Sequence, residues 1–290
     1  MNNKKTGLVL SYGYTFINML SGIFLSSFIL RSLGDFEYGL YQAISSFVNY
    51  LVILEFGTGT VMSRDLLLAR KSADEKKLKC VTSTMFWVTV ILAGVIVILG
   101  IVFYYLIPSI YHVTIPTNKI PYSQKMFVIM IAYLVISFFS QTVTGMFLGN
   151  EDYNIGNILK IICLLVRVIL IVVIISHYKY SIMIALIDMV LSLIFLIFEL
   201  IYTRKRYIVS YKLKYFSSVI LKKSLPLCVA LLLQTIINQA NGSVDKVVIS
   251  IKMSMESVAH YSVAAYVCNM FNSLLTIPIA MYLPQVSKNI

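Results

Sequence analysis

Runs of about twenty apolar residues recur along the whole chain, parted by short polar or basic turns. They begin near Leu8, Leu40, Thr82, Met126, Ile158, Ile182, Leu225 and Ser257, and each is long enough to cross a bilayer as a helix. The pattern predicts an all-α, polytopic transmembrane helical bundle of about eight spans. The first run, Leu8 to Leu30, follows MNNKK. It is too long for a signal peptide and lacks a small-residue cleavage site, so it reads as an uncleaved span.

Polar residues inside these runs carry the functional information. In Leu225 to Ile251, Gln234, Asn238, Asn241 and Asp245 fall at i, i+4, i+7 and i+11, which puts them on one helical face. A carboxylate facing lipid near a helix centre costs roughly 3 kcal/mol, so the stripe is expected to face other helices or a wet cavity. Interhelical hydrogen bonding is the alternative use of such a face. Asn18 in the first span and Asn269 in the eighth extend the set, and Lys246 follows Asp245. Arg167 stands at the centre of span five, Ile158 to Ser176, and cannot shed its proton. It therefore needs a carboxylate, Asp188 or Glu55, or else water or an anionic ligand. Glu55 in span two is expected either to pair with Arg64 or to serve transport, and Glu199 is expected at the membrane interface. The hydroxyls and amide of Ser137, Ser140, Gln141 and Thr144 read as packing contacts.

With 59% hydrophobic and 12% charged residues in 290, and a mean hydropathy of +0.86, little is left for a soluble domain. The net charge of +12 would suggest nucleic acid in a soluble protein. Here it clusters in alternate turns: Lys4 and Lys5, then Arg64 to Lys79, then Arg204 to Lys223, then Lys288. The asymmetry predicts cytoplasmic N- and C-termini by the positive-inside rule, with the basic turns against anionic membrane lipids rather than nucleic acid. Between the spans, Pro108 to Lys125 is expected to be an extended connection. Thr203 to Ser224, with Tyr211, Tyr215, Phe216, Val219 and Ile220 among lysines, is expected to be an amphipathic surface helix. Cys80, Cys163, Cys228 and Cys268 stand singly, so neither a disulfide framework nor a metal site is expected, and no cofactor signature occurs.

A shift of 220 residues aligns spans one and two with spans seven and eight without a gap. INMLSG at Ile17 to Gly22 meets INQANG at Ile237 to Gly242, Tyr41 meets Tyr261, and Asn49 meets Asn269. Six spans separate the copies, so the repeats run parallel, as in transporters whose two lobes are related by an axis along the membrane normal. The expected organisation is a six-helix lobe over 1–202, a basic cytoplasmic linker over 203–224, and the first two helices of a second lobe over 225–290, which reads as cut short.

RSLGDFEYGLYQ at Arg31 to Gln42, FGTGTVMSRD at Phe56 to Asp65, KKSLPL at Lys222 to Leu227, VDKVVIS at Val244 to Ser250 and AHYSVAAY at Ala259 to Tyr266 together resemble the polysaccharide (O-antigen and related repeat-unit) flippases of the multidrug/oligosaccharidyl-lipid/polysaccharide exporter superfamily. The resemblance implies twelve to fourteen spans in two bundles, alternating access, and movement of an undecaprenyl-pyrophosphate-linked oligosaccharide from the inner to the outer leaflet of a bacterial inner membrane for surface polysaccharide such as lipopolysaccharide or capsule. It also implies a polysaccharide polymerase and chain-length machinery as partners. On that reading Arg167 and Lys246 balance the pyrophosphate, the amides of Asn18, Gln234, Asn238, Asn241 and Asn269 meet sugar hydroxyls, and Glu55, Asp188 and Asp245 are candidates for ion coupling. The competing readings are a multidrug or cation antiporter of the same superfamily, a shortened lobe with a structural role, and a membrane enzyme. The last is disfavoured because His112 and His177 stand alone and Glu151 with Asp152 lies in a short turn.

Overall fold

A computed structural model describes residues 2–72 and 74–269, and among them every regular element is helical. The helices are α1 (Asn2–Leu33), α2 (Asp35–Tyr50), α3 (Thr58–Lys71), α4 (Glu75–Tyr111), α5 (Ile120–Gly149), α6 (Tyr153–His177), α7 (Ile182–Arg206) and α8 (Ser218–Lys252), followed by helical residues 255–269, here α9. Seven stretches among the described residues are long and apolar enough to cross a membrane, making this a multi-pass membrane protein. The eighth expected span, Ser257 to Leu283, enters as α9, but its part beyond 269, with Asn272, and the basic Lys288 lie outside the described residues.

The single residue Gly34 separates α1 from α2, at φ 81° and ψ 167°, a conformation that side chains with a Cβ rarely adopt. This is the expected tight reversal. Span two is not one helix, however. After Tyr50 it tightens into a 3₁₀ turn over Leu51–Glu55, Phe56 and Gly57 turn left-handed, and α3 then runs on to Lys71. Gly57 and Gly59 thus lie in mid-span rather than closing it. The Pro108 to Lys125 connection is shorter than expected as well. Pro108 sits in the last turns of α4, Pro121 in the first turn of α5, and a 3₁₀ turn over Thr117–Lys119 joins them.

Helix α5 is the hub, packing on α7, α3 and α4, while α1 packs on α6. Close approach explains the α3–α5 crossing. A Cβ on Gly145 would meet the Gly59 carbonyl oxygen at 2.3 Å, and one on Gly59 would meet the Gln141 carbonyl oxygen at 2.6 Å. Small residues of this kind let membrane helices touch backbone to backbone, where apolar burial supplies no driving force. Beside the crossing, the buried Thr142 hydroxyl lies 2.8 Å from that of Thr89 and 3.2 Å from that of Thr58, joining α3, α4 and α5.

The bundle has one end rich in basic residues, at the close of α3 and α7 and the start of α4. At the other end, Glu37 of α2 accepts from Lys119 Nζ at 2.9 Å, Tyr122 at 3.1 Å and the Ser181 hydroxyl at 2.6 Å. One carboxylate thereby ties together the α1–α2, α4–α5 and α6–α7 connections.

The 203–224 segment is not an amphipathic helix. Its first residues finish α7, its last begin α8, and 207–217 is irregular apart from the 3₁₀ turn Leu213–Tyr215. The start of α4 holds it. Ser83 donates to the Lys212 carbonyl at 2.7 Å, Trp87 Nε1 to the Tyr211 carbonyl at 3.1 Å, and the Ser217 N–H donates to Thr84 at 3.0 Å. Backbone groups that a helix would satisfy internally are met here by side chains of a neighbour.

Two pairs of helix boundaries lie close to the 220-residue shift. α1 ends at Leu33 and α8 at Lys252, and α2 begins at Asp35 as α9 does at Met255.

Candidate functional site

The most expensive residue in the sequence has found its partner. Arg167 of α6 donates through Nε to Asp188 Oδ1 of α7 at 2.5 Å and through Nη2 to Oδ2 at 2.9 Å. This fork-to-fork geometry is the strongest arrangement the two groups can make. The Asp188 side chain is 11% exposed and that of Arg167 34%. The exposed part of the guanidinium faces a cavity of about 340 Å³ between α1, α5, α6 and α7, whose polar lining includes Tyr14, Asn18, Tyr133, Lys160, Arg167 and Asp188. A small adjoining cavity reaches Asp188 from the other side, past Tyr41 and Asn49.

Lys160 is the residue that sequence reading passed over. It stands at the start of span five, seven positions before Arg167 and so two turns away on the same face, and that spacing was the available signal. Two cations therefore line the cavity against one carboxylate. Lys160 also interacts electrostatically with Glu199 of α7. Glu199 faces other helices: it is 7% exposed and accepts a hydrogen bond from Ser140 of α5 at 2.7 Å.

Among the residues expected at a site, Asn18, Arg167 and Asp188 are brought together at this cavity. The others lie elsewhere. Glu55 ends the 3₁₀ break and accepts from Gln141 Nε2 at 3.3 Å. The alternative pairing with Arg64 is not formed, because Arg64 bonds to Asp65 at 2.7 Å, and Asp65 in turn accepts from Ser224 of α8. Gln141 and Ser140, read as packing residues, are thus the two partners of buried or half-buried carboxylates.

On α8, which packs on α2, α3 and α4, Gln234 and Asn238 are exposed and Lys246 is half-buried. Asp245 accepts from Tyr261 of α9 at 2.6 Å. Asn269 is exposed at the end of the described residues, and the Asn241 side chain lies outside them. α9 returns to α1, where Tyr266 donates to the Met19 carbonyl at 3.2 Å. The polar face of α8 therefore opens outward from the helices present, and none of its members lines the Arg167 cavity.

Among the described residues there is no cluster of potential metal ligands. The cavity can hold an anion or a polar head group against Lys160 and Arg167.

Comparison with solved structures finds the same architecture. A transporter of the MOP superfamily from Pyrococcus furiosus, described as having a binding pocket of reversed polarity, superposes with a TM-score of 0.61 at 15% identity, covering 80% of this chain and 50% of its own. An inward-facing multidrug resistance MATE transporter of the same superfamily gives 0.65 at 18% identity, with 87% and 57% covered. A MATE transporter in complex with MaD3S gives 0.66 at 16% identity, with 92% and 65% covered. The chain thus spans between half and two thirds of the length of these transporters, and the likeness is one of fold. A search of curated proteins finds no match. The family model for polysaccharide biosynthesis protein matches residues 4–290, nearly the entire chain, which therefore belongs to that family.

Proposed function

We propose that this chain supplies the first six-helix lobe and the opening helices of the second lobe of a flippase, which carries an undecaprenyl-pyrophosphate-linked oligosaccharide across a bacterial inner membrane with its basic end in the cytoplasm. The observation that carries the reading is the cavity between α1, α5, α6 and α7, where Lys160 and Arg167 face a single carboxylate. A pyrophosphate head is anionic and its sugars bear hydroxyls, so a cationic cavity edged by Asn18 and tyrosines suits both. The outward polar face of α8, with Gln234 and Asn238, would form the facing wall once a second lobe completes the cleft, as transporters with parallel repeats place substrate between lobes.

The coupling ion would act at Glu55. Asp188 is committed to Arg167 and Asp245 to Tyr261, whereas Glu55 has, among the described residues, only the Gln141 amide. The same carboxylate is what favours the antiporter reading, since a cation substrate would seek it.

The test is complementation of a strain lacking its repeat-unit flippase, using the whole gene product with Lys160→Gln, Arg167→Gln/Asp188→Asn together, or Glu55→Gln. Loss of surface polysaccharide at normal protein level in the Lys160→Gln strain supports an anionic substrate. Full surface polysaccharide in that strain and in the double variant, with drug sensitivity altered by Glu55→Gln alone, would replace the flippase by the antiporter.

A further inference from the structure

At the basic end of the bundle, where α3, α5 and α7 finish and α4 begins, lies a second, open-mouthed pocket of about 530 Å³ that shares no residue with the Arg167 site. Leu66, Leu78 and Ile208 give it an apolar side, and Arg70, Arg206 and Asp152 a charged one. Arg206 Nε lies 3.4 Å from Asp152 Oδ2, and Tyr207 donates to the same oxygen at 2.5 Å. Burial, reinforced by Asp152, pushes the Tyr207 phenol up, so it stays a donor. The single acid of the cavity is thereby matched. Arg70, in the last turn of α3, forms no ion pair with a described residue and leaves the cavity with an uncompensated positive charge. Lys71 beside it, and Arg204 and Lys205 in the last turn of α7, add to the field at its rim.

A basic residue at a helix C-terminus answers the helix dipole, which accounts for Arg70 and Arg206 singly. It does not account for an open pocket of this size that is apolar on one side and cationic on the other. Membrane-crossing helices end at the depth of lipid phosphates, and basic pockets between such helix ends take up anionic head groups. We propose that this cavity binds the phosphodiester of an anionic phospholipid. The Arg70 guanidinium meets the phosphate in its planar fork, and the glycerol and first methylenes lie on Leu66, Leu78 and Ile208.

The experiment is native mass spectrometry of the protein, delipidated in detergent and then offered phosphatidylglycerol or phosphatidylcholine, with and without millimolar inorganic phosphate. The expected result is preferential retention of phosphatidylglycerol that phosphate does not displace. Arg70→Gln should lower that retention about fivefold, the contribution of one basic contact near an anionic surface. Arg70→Glu should abolish the preference, and Lys125→Gln, an exposed lysine at the opposite end, should leave it unchanged. Arg70 is exposed and forms no ion pair with a described residue, so both substitutions leave the packing intact. Equal retention of the two lipids, or equal effects of Arg70→Gln and Lys125→Gln, overturns the proposal. Displacement of the lipid by inorganic phosphate would make this a free-phosphate site and overturn it too.

Discussion

Asp188→Asn leaves the Arg167 guanidinium without its counter-charge in the middle of the bundle. Removing one member of a buried ion pair typically costs about 3 to 5 kcal/mol. Asp188 is nearly buried but Arg167 is a third exposed to a polar cavity, where water can solvate part of the orphaned charge. The expected loss is therefore lower, about 2 to 3 kcal/mol. Arg167→Gln strands the carboxylate instead, in the less exposed position, and should cost at least as much. The double variant removes both charges, so its loss should fall well below the sum, giving a coupling energy of about 2 kcal/mol in a double-mutant cycle. The assay is denaturant unfolding in detergent micelles, followed by Trp87, the one tryptophan of the chain, for the four proteins of the cycle. Strictly additive losses would show that the bidentate contact contributes nothing, and that the cavity rather than Asp188 solvates Arg167.

Other substitutions probe the packing and the second buried acid. Gly145→Ala should cost about 1 to 3 kcal/mol by overpacking, because its Cβ would lie 2.3 Å from the Gly59 carbonyl oxygen, whereas Gly94→Ala has nothing within 4 Å and should be neutral or slightly stabilising. The same unfolding assay separates them, and equal effects would contradict the crossing. Ser140→Ala removes the hydroxyl that Glu199 accepts from and should destabilise by about 1 to 3 kcal/mol. Ser137→Ala, whose hydroxyl donates only to its own helix at Leu134, should change stability far less, as thermal aggregation in detergent would show.

The span pattern was readable because lipid as solvent demands long apolar runs, and Arg167 was readable because its cost there forces a partner. Where the sequence misled, apolar character hid the decisive feature. Leu51 to Leu54 continue the hydrophobic run of span two, so nothing in composition marks the 3₁₀ break, which is set by the left-handed Phe56 and Gly57. The partner of Glu199, Ser140, lies on another helix, and no spacing within α7 marks it. The linker carries an amphipathic pattern, but Thr82, Ser83, Thr84 and Trp87 of α4 compete for its backbone and win. The split of Gln234, Asn238 and Lys246 from the Arg167 cavity follows from how α8 packs, which no spacing within α8 encodes.

If the space between α1, α5, α6 and α7 favours anions, Cys163 on its wall reports on that field directly. With Cys80, Cys228 and Cys268 replaced by Ser, the rate of Cys163 modification by a sulfonate-bearing methanethiosulfonate is compared with that of its trimethylammonium counterpart. Arg167 is offset by Asp188, which leaves Lys160, one helical turn before Cys163, and one such partly solvated cation is worth roughly 1 kcal/mol. The anionic reagent should therefore react severalfold faster, and Lys160→Gln should remove much of that advantage. A faster reaction with the cationic reagent, or a ratio indifferent to Lys160→Gln, would contradict the account.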